Sequence, residues 1–315
     1  MSTAFVKAVK EQYPAAAVDL VAKKGIDFLL DYFPAHDKRY VFSKETYEGI
    51  KGVWEFGKDI RKQKKYDIFF CLPDSFSSAV MGYAVAAKQR VGHKKELRSL
   101  LLTNSYPKKK NNHRVEEYIG LLEQFIKKEI LIPAVQLRSV PVIKKNTLLI
   151  NINSEAGSRR LPMEKAISLI STIRKKINEE IILVGSTKEK IFVDLVYEAL
   201  PDKTGISNAA GKTDLPQLLS LFASCSVVLT TDSGPAHVAN ALGIDTIVLF
   251  GAGNENNTAP YNKKNRIIIR LGQLPCEPCI SNTCKLYPQP ECLLRLDEEF
   301  IALEVEKKLN PNHNA

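Results

Sequence analysis

The segment from Val227 to Gly243 reads as a buried apolar strand, a tight polar turn and a helix stopped by a glycine. In that arrangement Ser233 and Gly234 offer backbone N–H groups at a helix N-terminus, where the positive end of the helix dipole favours a phosphate. Gly234 permits close approach of a ligand to the backbone, and Pro235 suits the first helical turn. His237 lies one turn in and can donate to a phosphate oxygen at the same opening, while Asp232 can bind sugar hydroxyls. A plainer alternative stays open at this point: Asp232 caps the helix and His237 packs beneath it. Hydrolysis by an Asp-Ser-His set is the weakest reading, because closeness in sequence supplies no triad geometry.

A second candidate is the Gly-containing loop from Asn151 to Pro162, which carries Ser154, Arg159 and Arg160. An arginine fork beside such a loop, directly after a strand, suits bidentate binding of phosphate. A solvated arginine pair is the alternative. The segments Leu183–Glu189 and Ala210–Leu215, taken singly, are an ordinary turn and an ordinary helix cap. Cys276, Cys279, Cys284 and Cys292 have the crowding of a tetrathiolate site, and thiolate sulfur favours zinc or iron. Their spacing matches no common zinc-finger module, and reduced, packed thiols are the other reading. Cys71 and Cys225 fall in apolar runs and belong to the core.

The elements that must position these residues are legible as alternating patterns. Ala17–Val21, Tyr66–Cys71, Thr147–Ile152, Ile181–Val184, Ser226–Thr230 and Thr246–Phe250 read as buried strands. Met163–Asn178, Leu215–Ser224 and Asp297–Lys308 read as helices, the last stopped before Asn310-Pro311 with a frayed tail behind it. Alternation of strand and helix predicts parallel sheets flanked by helices. Two such series, separated by the Pro-containing stretch Ile132–Lys145, predict an α/β protein of two Rossmann-like domains facing across a cleft, residues 1–140 and 146–309. A substrate is expected in that cleft. The N-terminal domain is expected to lack its first strand, because the chain opens directly on a helical pattern, Ser2–Gln12, with Phe5, Ala8 and Val9 on one face.

Length and composition set the frame. The chain has 315 residues, 44% hydrophobic and 25% charged, enough for two globular domains. No apolar run approaches the roughly 18 to 20 residues of a membrane span and no charged-then-apolar leader opens the chain, so a cytoplasmic protein is expected. Its six cysteines do not resemble a disulfide framework at this length. Net charge is +10, and all the excess is N-terminal: residues 1–145 hold 27 basic against 16 acidic residues, the remainder 18 against 19. The basic bursts are Arg61–Lys65, Lys88–Lys95 and Lys108–Arg114. They attract a polyanion over about a Debye length or are simply solvated faces. They lack interleaved aromatics and any finger, RNA-binding sheet or recognition-helix signature, so nucleic acid is not the expected partner. An anionic lipid surface fits as well as any polyanion.

Thr231 to His237, followed by Leu249-Phe250-Gly251 and Pro260-Tyr261, resembles glycosyltransferase family nine, whose best-known members are the ADP-heptose lipopolysaccharide heptosyltransferases. Further segments resemble the family in order. In Asn151–Pro162, Ser154 and Arg159 match its diphosphate contacts, with Arg160 close by. Glu189 matches a ribose contact and Thr213 an adenine-flanking contact. Tyr66–Ile68, Pro73–Ser78, Arg90–Gly92 and His113–Glu116 resemble its acceptor domain more loosely. The resemblance implies a GT-B fold and inverting transfer of heptose from an ADP-sugar to a lipopolysaccharide core acceptor. The implied donor residues are Ser154, Arg159, Arg160, Glu189, Thr213, Asp232, Ser233, Gly234 and His237. It implies no cofactor for the chemistry. Some members carry a similar cysteine cluster and one branch holds iron there, so structural zinc or iron is implied at the four cysteines. The implied partners are a nucleotide-sugar donor and an anionic glycolipid acceptor at the inner membrane surface, with peripheral attachment there. In the family the base is an aspartate in a Gly-Asp loop after the opening strand, and this sequence starts beyond it; Asp74 is the fallback. Two alternatives follow: a catalytically impaired nucleotide-sugar-binding protein, or transfer of another sugar to a different surface glycan.

Overall fold

The computed structural model describes residues 1–33, 36–109, 111–138 and 141–311. The chain divides into two compact units, Met1–Val135 and Gln136–Ala315, the boundary falling inside the Pro-containing stretch. Ser139 and Val140 of that stretch, Lys110 of the third basic burst and the tail from residue 312 lie outside the described residues.

The first unit runs α1 (Ser2–Gln12), β1 (Leu20–Lys23), β2 (Arg39–Phe42), α2 (Gly49–Gln63), β3 (Ile68–Cys71), α3 (Phe76–Val85), β4 (Gln89–His93), β5 (Asn104–Tyr106) and α4 (Arg114–Ile126). The helical face read at the start of the chain is buried: Phe5, Ala8 and Val9 are all core. Phe5 meets Phe70 of β3 edge-on at 5.1 Å, and Phe70 meets Phe125 of α4 at 5.5 Å, so α1 and α4 share one side of the strands. The strands are parallel but form two separate sheets, β1-β2 and β3-β4-β5. Each of β1 and β3 therefore keeps one edge without a strand partner among the described residues. Side chains bridge their near ends, where the Tyr66 hydroxyl donates to Asp19 at 2.5 Å and Lys64 pairs with Asp19 at 2.9 Å.

The second unit runs β6 (Thr147–Asn151), α5 (Met163–Lys176), β7 (Glu180–Leu183), α6 (Lys190–Glu198), β8 (Ile206–Asn208), α7 (Leu215–Ser224), β9 (Val227–Thr231), α8 (Gly234–Ala241), β10 (Asp245–Phe250), α9 (Glu255–Thr258), β11 (Arg266–Arg270), α10 (Glu291–Leu294) and α11 (Glu298–Leu309). Its single parallel sheet has the order β11-β10-β9-β6-β7-β8. Every residue of β6 and β9 is buried, as expected of central strands covered on both faces. Leu148 and Ile150 of β6 pack with Leu169 and Ile173 of α5 and Ile301 and Val305 of α11 on one face. Leu149 and Val228 pack with Phe222 of α7 on the other. Each such side chain contributes about 1.5–3 kcal/mol when fully buried. Helix ends agree with the fold: Asp214 and Gln217 form a capping box at α7, and Arg174, Lys175 and Lys176 complete the last turn of α5 against its dipole.

Chain order reverses between β6 and β9. In a doubly wound sheet that reversal leaves a crevice outside the strands' carboxyl ends, where ligands bind. The register sets these ends level: Asn151 lies opposite Thr230, Ile150 opposite Leu183, and Leu183 opposite Asn208.

Candidate functional site

Four loops leave the carboxyl edge of the second unit's sheet, after β6, β7, β8 and β9, and together with the first turn of α8 they carry every residue singled out there for donor binding. A buried amide network ties them. Asn151 donates to the hydroxyls of Thr230 and Ser233, both at 3.1 Å, and Asn153 donates to the Val184 carbonyl at 3.2 Å. The Gly211 amide donates to the Gly185 carbonyl at 2.9 Å, joining the loops after β7 and β8.

Ser233 is the N-cap residue of α8, yet its hydroxyl turns back to donate to the Thr231 carbonyl at 3.1 Å and caps nothing. No side chain therefore caps the first turn of α8, where Pro235 has no N–H and the Ala236 amide donates to the Ser233 carbonyl at 3.2 Å. A methyl group placed on Gly234 would meet no atom within 4 Å, so the space over this turn is open. His237 follows one turn in, half-buried.

Asp232 is buried, and Arg159 approaches its Oδ2 at 3.3 Å. Burial lifts the Asp232 pKa above the ordinary carboxylate value; the charges of Arg159 and Arg270 pull against that, and Glu255 adds to it. Oδ2 accepts no hydrogen bond among the described residues, and the buried Nε groups of Arg159 and Arg160 donate none. An acceptor short of donors therefore stands beside donors short of an acceptor, the polarity a sugar phosphate would satisfy. Ser154 is buried, its hydroxyl accepting from the Ala156 amide at 3.3 Å, while Arg160 donates to the Ser154 carbonyl at 3.2 Å. Glu189 closes its own turn, accepting from the Ser186 amide and hydroxyl at 2.8 Å each. Thr213 immediately precedes the capping box of α7.

Arg270 escaped the sequence reading and is central to the geometry. From the end of β11 it donates to the carbonyls of Gly251, at 2.8 Å, and Gly253, and pairs with Glu255 at 2.7 Å and Glu277 at 3.1 Å. It thereby fixes the loop after β10 against Asp232. A Cβ on Gly253 would stand 2.0 Å from Asp232 Oδ2, so any side chain there would displace the Asp232 carboxylate. The one sequence signal was Gly251-x-Gly253 after a strand. Asn240 was missed too: it donates to the Asn262 carbonyl and accepts from the Asn262 amide, each at 3.0 Å, pinning Pro260-Tyr261 to α8.

In the first unit, Asp74 follows β3 amid cations: Lys108 at 2.9 Å, Arg98 at 3.7 Å and Arg114 at 3.9 Å. Burial alone would raise its pKa, but the hydrogen bond and charge of Lys108, with His93 and Arg114, leave it below the ordinary value. That makes it a poor general base, since a base works best with a pKa near the working pH.

The four C-terminal cysteines share a neighbourhood. Burial pushes the Cys292 thiol up to about 11, and Glu277, Cys279, Cys284 and Cys276 add to the rise. Cys292 is buried and Cys279 exposed. Among the described residues no group of three or more His, Cys, Asp or Glu side chains is arranged to hold a metal ion. No helix among them is long and apolar enough to cross a membrane.

The profile of glycosyltransferase family 9 (heptosyltransferase) matches residues 53–289. Lipooligosaccharide heptosyltransferase 2 of Campylobacter jejuni is 24% identical over 321 residues, covering 99% of this chain and 95% of that one. Lipopolysaccharide heptosyltransferase 2 of Salmonella typhimurium is 27% identical over 303 residues, covering 85% and 83%. Among solved structures, the ADP-heptose lipopolysaccharide heptosyltransferase II of Escherichia coli gives a TM-score of 0.81 at 22% identity, over 99% of this chain and 95% of that chain, a likeness of fold.

Proposed function

The chain belongs to glycosyltransferase family 9, the heptosyltransferases, and from that premise we propose that it transfers heptose from an ADP-sugar to a lipopolysaccharide core acceptor, with inversion at the anomeric carbon. The observation that carries the reading is the uncapped start of α8 beside Arg159 and the donor-poor Asp232. The diphosphate lies over Ser233 and Gly234, with Arg159, Arg160 and His237 as its cationic and imidazole donors and Ser154 as a hydroxyl donor. Charge that grows on the departing diphosphate then meets preorganised donors, which is how such sites lower a barrier. Asp232 takes sugar hydroxyls, Glu189 the ribose, and Thr213 flanks the adenine. No cofactor is assigned to the chemical step. The acceptor is an anionic glycolipid, and the protein works in the cytoplasm against the inner face of the membrane, a reading supported by the basic excess of residues 1–145.

One observation favours a second reading. Asp74, the fallback base of the sequence, stands among three cations and its pKa is lowered. A nucleotide-sugar-binding protein with impaired transfer would have this character.

Turnover of ADP-heptose with a lipopolysaccharide core acceptor, beside calorimetric titration of the same donor, separates the readings. Transfer supports the first. Binding without transfer supports the second. Transfer only from another nucleotide sugar, or only to another glycan, removes the heptose assignment.

A further inference from the structure

Leu97 and Leu100 are 71% and 80% exposed. They stand three residues apart in the 3₁₀ turn Glu96–Leu101. Such a helix has three residues per turn, so both leucines leave it on one side. A lone exposed leucine needs no explanation, but a pair forming one ridge does.

The ridge is built, not loose. Between the leucines, Arg98 is only 2% exposed. It donates to the carbonyls of His93 at 2.9 Å and Pro73 at 3.1 Å, and lies 3.7 Å from Asp74. Glu96 enters the turn at φ +43°, a left-handed conformation that residues with a Cβ rarely adopt. The turn that carries the two leucines is thus anchored by a buried arginine and entered through a residue in a strained conformation.

The surroundings are basic. Lys94 and Lys95, exposed, lead directly into the turn. The Lys94 amide donates to the Tyr106 carbonyl at 2.7 Å, which brings in the strand that continues to Lys108 and the exposed Lys109. Against these the turn itself offers one exposed carboxylate, Glu96.

We propose that the turn Glu96–Leu101 is a bilayer-docking foot: Leu97 and Leu100 enter the interfacial layer of an anionic membrane while Lys94, Lys95 and Lys109 meet its headgroups. The size of the ridge selects this occupant. A stable protein interface buries about 800 Å² on each partner, far more than two leucine side chains supply. Interfacial attachment needs only a few apolar side chains with basic neighbours. The inference rests on the proposed function only for the reason a membrane is nearby; transfer to a lipid-free acceptor tests that function alone and can fail while docking holds.

The test is co-sedimentation of the full chain with phosphatidylglycerol/phosphatidylcholine vesicles and with phosphatidylcholine alone. Binding is expected only to the anionic vesicles and is weakened by salt. Leu97→Ser with Leu100→Ser lowers partitioning about tenfold or more, and Lys94→Gln with Lys95→Gln lowers it and flattens the salt dependence. Both variants keep the parent's melting temperature, and the leucine variant keeps its rate on a lipid-free acceptor. A second probe is Leu97→Trp in a Trp54→Phe background, whose emission shifts to the blue with anionic vesicles. Vesicle binding unchanged in the leucine variant, an unshifted Leu97→Trp, or a parent dimer that the leucine variant dissolves would each overturn the proposal.

Discussion

Arg159 and Asp232 lie 3.3 Å apart, yet each keeps hydrogen-bonding capacity that the other does not use. A ligand phosphate on one side and sugar hydroxyls on the other would complete both. Arg159→Ala and His237→Ala are therefore expected to weaken ADP-heptose binding by about 1.5–3 kcal/mol each, read by calorimetric titration. Unchanged affinity in both would remove the assignment of the diphosphate to α8. Asp74 allows a separate test in the first unit. Its folded pKa is lowered, so its contribution to stability is present above the unfolded carboxylate pKa and is lost as pH falls through the folded value. Asp74→Asn is expected to cost about 1 kcal/mol at pH 7, a figure discounted for partial exposure, and the gap between parent and variant in urea melts closes as the solution is acidified. A gap that persists in acid would locate the loss in packing. At this scale the sequence was informative where chemistry and chain order coincide. Asp232, Ser233, Gly234 and His237 fall within six consecutive positions, so a strand, a turn and a helix placed them. Arg270 was invisible because its partners, Gly251, Gly253 and Glu255 in the segment after β10 and Glu277 beyond β11, are brought to it only by the fold.

Among elements, legibility followed burial. Central strands such as β6 and β9 are buried along their length and announce themselves as apolar runs. β2, β4, β5, β8 and β11 were missed. β5 and β8 are three residues long and β4 is largely polar, and none of these patterns separates a strand from a loop. The helix-first opening was read correctly as an element, but one doubly wound sheet was expected in the first unit where the structure has two. The loop from Cys276 to Cys292 is the element on which sequence and geometry diverge most. The crowding of four cysteines pointed to a thiolate site, whereas no ready ligand set exists among the described residues. We propose a structural zinc or iron there that draws the loop together around it, because four sulfurs and Glu277 in one neighbourhood gain from a shared cation. Protein purified without added metal is expected to carry one equivalent, lost in a Cys279→Ser, Cys284→Ser variant with a fall in melting temperature. Substoichiometric metal in the unmutated protein, by elemental analysis, would return these residues to the role of packed thiols.

The molecule as a whole carries its charge unevenly, and that asymmetry makes a prediction neither a residue nor an element can. Residues 1–145 hold 27 basic against 16 acidic side chains, while the rest of the chain, which carries the proposed donor site, is nearly balanced at 18 against 19. A donor diphosphate held at α8 is bound by a few close, partly buried contacts, which salt screens weakly. An anionic acceptor drawn in by the first unit would feel mainly the summed field of many exposed lysines and arginines, which salt screens strongly. Between about 0.01 M and about 0.1 M ionic strength the Debye length falls from about 30 Å to about 10 Å. Over that interval kcat/KM for the acceptor is expected to fall about tenfold, while KM for the donor changes by less than about twofold. Charge reversal in the first basic burst, Arg61→Glu with Lys65→Glu, both on exposed positions, should lower the acceptor kcat/KM at low salt and leave it close to the parent's at high salt, with kcat unaltered. Steering accounts for that pattern because it acts on encounter and not on the chemical step. Equal salt sensitivity of donor and acceptor, or a charge-reversed variant that loses kcat at every ionic strength, would mean the basic excess serves solubility or folding and leaves the acceptor to find its site by short-range contacts alone.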